Sequence, residues 1–122
     1  MSNSRQQLGR RGEELARTRL EKMGYTVLEA NHRSGSGEID VVAEHEGTLV
    51  FVEVRTRRGN ALGTPEESIT PRKRSRMVDA AQTYLQAKEA EDREWRIDLV
   101  AVEMGFDGRL QRIDVLQNVV EL

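Results

Sequence analysis

The sequence predicts a mixed α/β fold in the order helix, three strands, helix, two strands, with the helices flanking one mixed sheet. Two stretches with apolar residues at helical spacing carry this expectation, together with five short runs of strand-like composition bounded by turn residues. With 37% apolar and 33% charged residues among 122, the chain has the composition of a folded protein. Its length suits one domain, expected to span residues 1–122.

Leu8, Leu15, Ala16, Leu20 and Met23 predict an amphipathic helix over roughly residues 6–23, ended by Gly24. Glu13 falls on the same inward face as Ala16 and Leu20, unlike Glu14, and a carboxylate there needs a partner. Tyr25–Asn31 and Glu38–Glu44 read as strands separated by the flexible Gly35-Ser36-Gly37. Glu44-His45-Glu46-Gly47 reads as a hairpin turn into a third strand, Thr48–Arg57, completing an antiparallel meander. The stretch Arg58–Thr70 has no period and carries Gly59, Gly63 and Pro65, as functional loops do. Thr70 and Pro71 supply an N-cap and a first-turn proline for a second helix, with Met77, Ala81, Tyr84 and Leu85 as its apolar stripe, ending near Ala90. Trp95–Met104 and Leu110–Leu116 read as the last two strands, joined by a turn at Gly105-Phe106-Asp107-Gly108.

The absence of cysteine excludes disulfides, thiol nucleophiles and the usual zinc sites, and fits a reducing compartment. No stretch resembles a signal peptide or a membrane span, so a cytoplasmic protein without a membrane partner is expected. The net charge of -2 hides an asymmetry: Met1–Arg76 holds 14 Lys+Arg against 11 Asp+Glu, and Met77–Leu122 holds 5 against 10. Within Arg55–Arg76, 7 basic residues face 2 acidic ones, an excess that attracts a polyanion such as a nucleic-acid backbone. Arg57, Arg58, Arg72, Lys73 and Arg74 are the candidate phosphate contacts; a solvated basic face is the bland alternative on charge alone.

Side chains alternate along a strand, so Leu49, Phe51, Glu53 and Arg55 share a face, and Glu53 interrupts an otherwise apolar strand. Glu38 and Asp40 share a face likewise, and the predicted hairpin brings Asp40 beside Glu53. Two adjacent carboxylates repel unless positive charge lies between them. Either a neighbouring arginine or a hard divalent cation answers this; Mg²⁺ or Mn²⁺ takes oxygen ligands and keeps waters for chemistry. His32 and His45, at a strand end and a turn tip, are not expected to act, and Asp98 has a ready partner in Arg96. Tyr84 is expected to pack in the core with its hydroxyl at the edge.

Gly37-Glu38-Ile39-Asp40 followed by Phe51-Val52-Glu53-Val54-Arg55 resembles the D…E-x-K signature of the PD-(D/E)-x-K nuclease superfamily. Gly12-Glu13, Asn31, Gly63-x-Pro65, Lys73 and Arg96-x-Asp98 extend the likeness over nearly the whole chain, which resembles the YraN-like family of uncharacterised bacterial proteins. Members of that family are similar in fold to archaeal Holliday-junction resolvases. The resemblance implies a restriction-endonuclease-like core, with Glu13, Asp40 and Glu53 as the carboxylates of a Mg²⁺ or Mn²⁺ site. It implies Arg55 at the lysine position, an endonuclease acting on DNA, branched or structured DNA included, and a homodimer by analogy with the resolvases.

Arginine in place of the signature lysine is not a conservative change. Arg55 stays protonated and cannot serve as a general base, although it can hold a phosphate or stabilise charge in the transition state. Lys73 is a candidate substitute, an idea that fails if its side chain lies well away from Asp40 and Glu53; alternatively Arg72, Lys73, Arg74 and Arg76 form a phosphate-contact cluster at a helix N-terminus. Two other functions stay open: a nucleic-acid-binding module of the same fold with weak or absent cleavage, and an interaction protein whose carboxylates are structural.

Overall fold

The computed structural model describes residues 3–59 and 61–120. The elements follow the expected order: α1 (Ser4–Lys22), β1 (Thr26–Ser34), β2 (Gly37–His45), β3 (Thr48–Arg58), α2 (Pro71–Ala87), β4 (Trp95–Met104) and β5 (Leu110–Leu116), with a short 3-10 turn at Glu66–Ser68 before α2. The strands form one five-stranded sheet in chain order. β1, β2 and β3 make the antiparallel meander, and β4 and β5 are antiparallel. β3 and β4 run parallel, because α2 and its approach loop return the chain to the starting end of the sheet. This is the restriction-endonuclease-like α+β arrangement of a mixed sheet flanked by helices.

Each helix covers one face. Leu49 and Phe51 of β3 and Ile97 and Leu99 of β4 pack with Met77, Ala81, Tyr84 and Leu85 of α2. Val50, Val52 and Val54 of β3, with Val100 and Val102 of β4, pack with Ala16 and Leu20 of α1. A central strand flanked on both faces must be apolar on both, which explains the near-continuous run from Leu49 to Val54. No described helix is long and apolar enough to cross a membrane.

Several boundaries differ from expectation. α1 begins at Ser4, where Asn3 and Gln6 form a reciprocal capping box whose polar residues carry no periodic signal. Met23 is the C-cap of α1 and is exposed rather than part of its apolar stripe. β1 continues to Ser34, passing through Asn31 at φ 53. His45, expected at a turn tip, is the last residue of β2 and stacks on Tyr25 with ring centroids 4.1 Å apart. α2 stops at Ala87 because Glu89 turns to φ 53, and Ala90 N–H then donates to Leu85 O at 2.9 Å.

Gly12 lets α1 lie against the end of β3. A Cβ there would overlap the hydroxyl of Thr56, so a larger residue would lift the helix from the sheet. Glu13 is thereby held at the same end of β3 as Glu53 and Arg55.

Candidate functional site

The β2–β3 ladder pairs His45 with Thr48 and continues to Val41 opposite Val52. Beyond this pair, Val54 N–H donates to the Asp40 carboxylate at 2.8 Å, so a side chain takes the place of the next backbone acceptor. The alternation of β2 also slips here: Ile39 and Val42 both face α2, whereas Val41 and Ala43 face α1. Across the sheet, Asn31 departs from extended geometry in the stretch of β1 that flanks Asp40. A short apolar strand thus ends at a polar cleft of about 720 Å³, whose lining includes Glu13, Glu38, Asp40 and Glu53.

The acids are held differently. Glu53 is 7% exposed, and its Oε1 lies 3.2 Å from Lys73 Nζ and 3.8 Å from Arg55 Nη1. Burial first, and then the neighbouring charge of Glu53, push the Asp40 carboxyl up to about 8. Burial also raises the Glu13 carboxyl, with the charge of Glu38 as the next cause. With its amide nitrogen turned toward the acids, Asn31 donates to Glu13 Oε2 at 3.3 Å and to Glu38 Oε1 at 3.2 Å. Glu38 also lies 3.8 Å from Arg33 on the neighbouring strand, an exposed pair of little energetic weight.

The cations come from three places. Arg55 follows Glu53 on β3, and its Nε donates to Ser68 Oγ at 2.9 Å; that hydroxyl donates in turn to Pro65 O at 2.6 Å. Lys73 is fixed in the first turn of α2, where its backbone N–H donates to the Thr70 cap at 3.1 Å. Its side chain reaches the acids, with Nζ 3.2 Å from Glu53 Oε1, rather than lying well away from them. Arg57, Arg58 and Arg5 line the same cleft. Arg72 is exposed on the helix surface, while Arg74 borders a different cleft with Pro71, Asp79 and Asn118. The structure thus brings Arg57, Arg58 and Lys73 to the acids and leaves Arg72 and Arg74 out of the cleft lining.

Three contributors escaped sequence reasoning. Asn31 bridges Glu13 and Glu38, and Ser68 orients Arg55. Arg112 of β5 donates to Glu66 Oε1 at 2.8 Å, Glu103 Oε1 at 2.8 Å and Asp114 Oδ2 at 2.7 Å. It thereby pins the 3-10 turn that carries Ser68, and hydrogen bonds to these three acids hold its guanidinium well above the ordinary range. The only prior hint was the family pattern around Asn31 and Pro65, since contacts between distant elements leave no local period.

Among the described residues, no three His, Cys, Asp or Glu side chains are already gathered into a cation-holding group. Asp40 and Glu53 are two adjacent oxygen donors in a water-accessible cleft, and two carboxylates with waters are what Mg²⁺ ordinarily takes from a protein. Glu13 lines the cleft with its carboxylate engaged by Asn31.

A second charged cluster lies away from the cleft. Asp98, 0% exposed, accepts from Tyr25 Oη at 2.7 Å, Arg96 Nε at 2.9 Å and Asn118 N at 2.9 Å. His45 Nδ1 lies 2.9 Å from an Arg96 guanidinium nitrogen. Tyr84 packs in the core as expected and donates its hydroxyl to Glu29 at 2.7 Å.

The model of the uncharacterised protein family UPF0102 matches residues 12–102, from Gly12 through the parallel strand pair. A UPF0102 protein of Roseiflexus castenholzii is 43% identical over 122 residues, covering 99% of this chain and 98% of the relative. One of Symbiobacterium thermophilum is 45% identical over 111 residues, covering 91% and 93%. A third, of Desulfitobacterium hafniense, is 46% identical over 105 residues, covering 84% and 85%. The chain belongs to the UPF0102 family, the YraN-like group that its motifs resemble.

Proposed function

We propose that this protein is a divalent-metal-dependent endonuclease that hydrolyses phosphodiester bonds of DNA, including branched or otherwise structured DNA. The observation that carries the reading is the Asp40–Glu53 pair: two adjoining carboxylates at the polar end of an apolar strand pair, with the Asp40 carboxyl pushed up to about 8 by burial and by Glu53. A divalent cation held between the two carboxylates would relieve their repulsion and lower the Asp40 carboxyl again.

In this reading Asp40 and Glu53 hold Mg²⁺ or Mn²⁺, and Glu13 assists from α1. A bound divalent ion supplies positive charge at the scissile phosphate and acidifies a coordinated water. Arg55 stabilises charge building on the phosphate, aimed by Ser68. The Lys73 ammonium, 3.2 Å from Glu53 Oε1, is close enough to turn to the substrate. Arg57 and Arg58 hold the flanking backbone electrostatically, which makes binding salt-sensitive.

The test is incubation of branched, single-stranded and duplex DNA with Mn²⁺ or Mg²⁺, beside Asp40→Asn and Glu53→Gln. The reading expects cleavage that falls at least about a thousandfold in either variant, the scale of losing a principal electrostatic group. Unchanged cleavage in the variants would overturn it. One observation favours a second reading: Arg55, replacing the signature lysine, is tied to Ser68. A nucleic-acid-binding module with weak or absent cleavage predicts salt-sensitive binding and no metal-dependent product.

A further inference from the structure

We propose that Phe106 is a stacking position for an unpaired nucleobase, making the cleft a site for DNA with single-stranded character; this rests on the nucleic-acid reading above. Phe106 is 84% exposed at the turn joining β4 to β5, and it lines the same cleft as Asp40, Glu53, Arg57 and Arg58. Its ring lies over the backbone of Gly59 at the end of β3, where an added Cβ would come within 3.1 Å of it. Leu62, 90% exposed on the loop before α2, lines the cleft as well.

The fold does not need this phenyl group. Gly105 N–H donates to Arg109 O at 2.8 Å and Gly108 N–H to Gly105 O at 3.0 Å. Asp107 Oδ1 accepts from Arg109 N–H at 3.0 Å, and Gly108 supplies the positive φ of 81. The turn is closed by its own backbone and Asp107, and Phe106 belongs to neither core cluster. A large aromatic ring left in water in an arginine-lined cleft forgoes the gain of burial until something flat and apolar covers it.

The charge around the ring selects the occupant. Arg57, Arg58 and Arg5 line the same cleft and attract phosphate, while the ring offers a π-face. A nucleotide carries both complementary features, but in an intact duplex the base faces are already covered by their neighbours. The ring therefore favours DNA whose bases are unpaired.

The experiment measures fluorescence anisotropy of a labelled oligothymidine strand and of a duplex of equal length, titrated with the full-length protein in EDTA to suspend cleavage. Phe106→Ala and Phe106→Leu are expected to weaken single-strand binding about tenfold and duplex binding about twofold or less, whereas Phe106→Trp keeps both. Equal losses on the two DNAs, or full binding by Phe106→Leu, would overturn the stacking role alone. Failure of the unmodified protein to bind either DNA, both in EDTA and with Mn²⁺ present, would overturn the nucleic-acid reading together with it.

Discussion

Asp98 and Asp40 lie on strands of one sheet, and the fold treats them in opposite ways. Asp98 is completely buried and receives hydrogen bonds from Arg96, Tyr25 and the Asn118 backbone. Asp40 receives one from Val54 N–H, and the charges with the largest effect on it are those of Glu53, Glu13 and Glu38. A carboxylate surrounded by donors stabilises the structure that provides them, whereas one surrounded by acids strains it. The comparison separates a carboxylate satisfied by the fold from one whose burial and acidic neighbours raise its pKa, the feature on which the proposed cation site rests.

The largest expected effect on stability lies at Asp98. Asp98→Ala leaves the Arg96 guanidinium and the Tyr25 hydroxyl without their acceptor in a largely buried place, a loss of about 3–5 kcal/mol. Urea denaturation reads it, and the variant, where folded, is expected to bind Mn²⁺ as the parent does. Loss of Mn²⁺ affinity without loss of stability would break the comparison.

Asp40 predicts the reverse sensitivity. Its folded-state carboxyl titrates near 8, above the ordinary value of 3.8, so the native state holds a proton that the unfolded chain has released. Stability therefore falls as pH rises from the ordinary aspartate range through about 8, by on the order of a few kcal/mol. Melting temperatures across that window are expected to flatten in Asp40→Asn, and Mn²⁺ is expected to restore the parent at the alkaline end. A parent protein whose stability is level across the window contradicts this.

Gly12→Ala sharpens the positional side of the comparison. The added methyl overlaps Thr56, and displacing α1 from β3 costs about 1–3 kcal/mol. Because Glu13 moves with the helix, DNA cleavage is expected to fall further than it does in Gly9→Ala, where no atom beyond the neighbouring residues and the helix's own backbone lies within 4 Å of the added group. Equal activity in the two variants would remove Glu13 from the account.

The smallest effect is expected at Lys73. Lys73→Met removes the ammonium 3.2 Å from Glu53, so Mn²⁺ meets less competition and binds several-fold more tightly, while DNA cleavage weakens. Weaker Mn²⁺ binding in this variant would contradict the charge-balancing role.

How much of this was legible in the sequence follows from the range of each interaction. β4 and β5 match their expected bounds because apolar residues and the Gly105–Gly108 turn declare them locally. The Thr70 cap and Pro71 announce the start of α2 for the same reason. Strand alternation and hairpin register were enough to bring Asp40 toward Glu53, and helical spacing enough to turn Glu13 inward. The slip at Asp40, the positive φ of Asn31 and the hold of Ser68 on Arg55 arise between elements distant in sequence, so no window of residues displays them. Phe106 read only as a turn residue, because exposure beside a cleft is a property of the assembled fold.

The most direct measurement is calorimetric titration of Mn²⁺ into the parent protein, Asp40→Asn, Glu53→Gln and Asp98→Asn under conditions where all four are folded. The account predicts saturable binding in the parent and in Asp98→Asn, abolished in the other two. Binding absent from the parent, or equal in all four proteins, would contradict the assignment of Asp40 and Glu53 as a cation site.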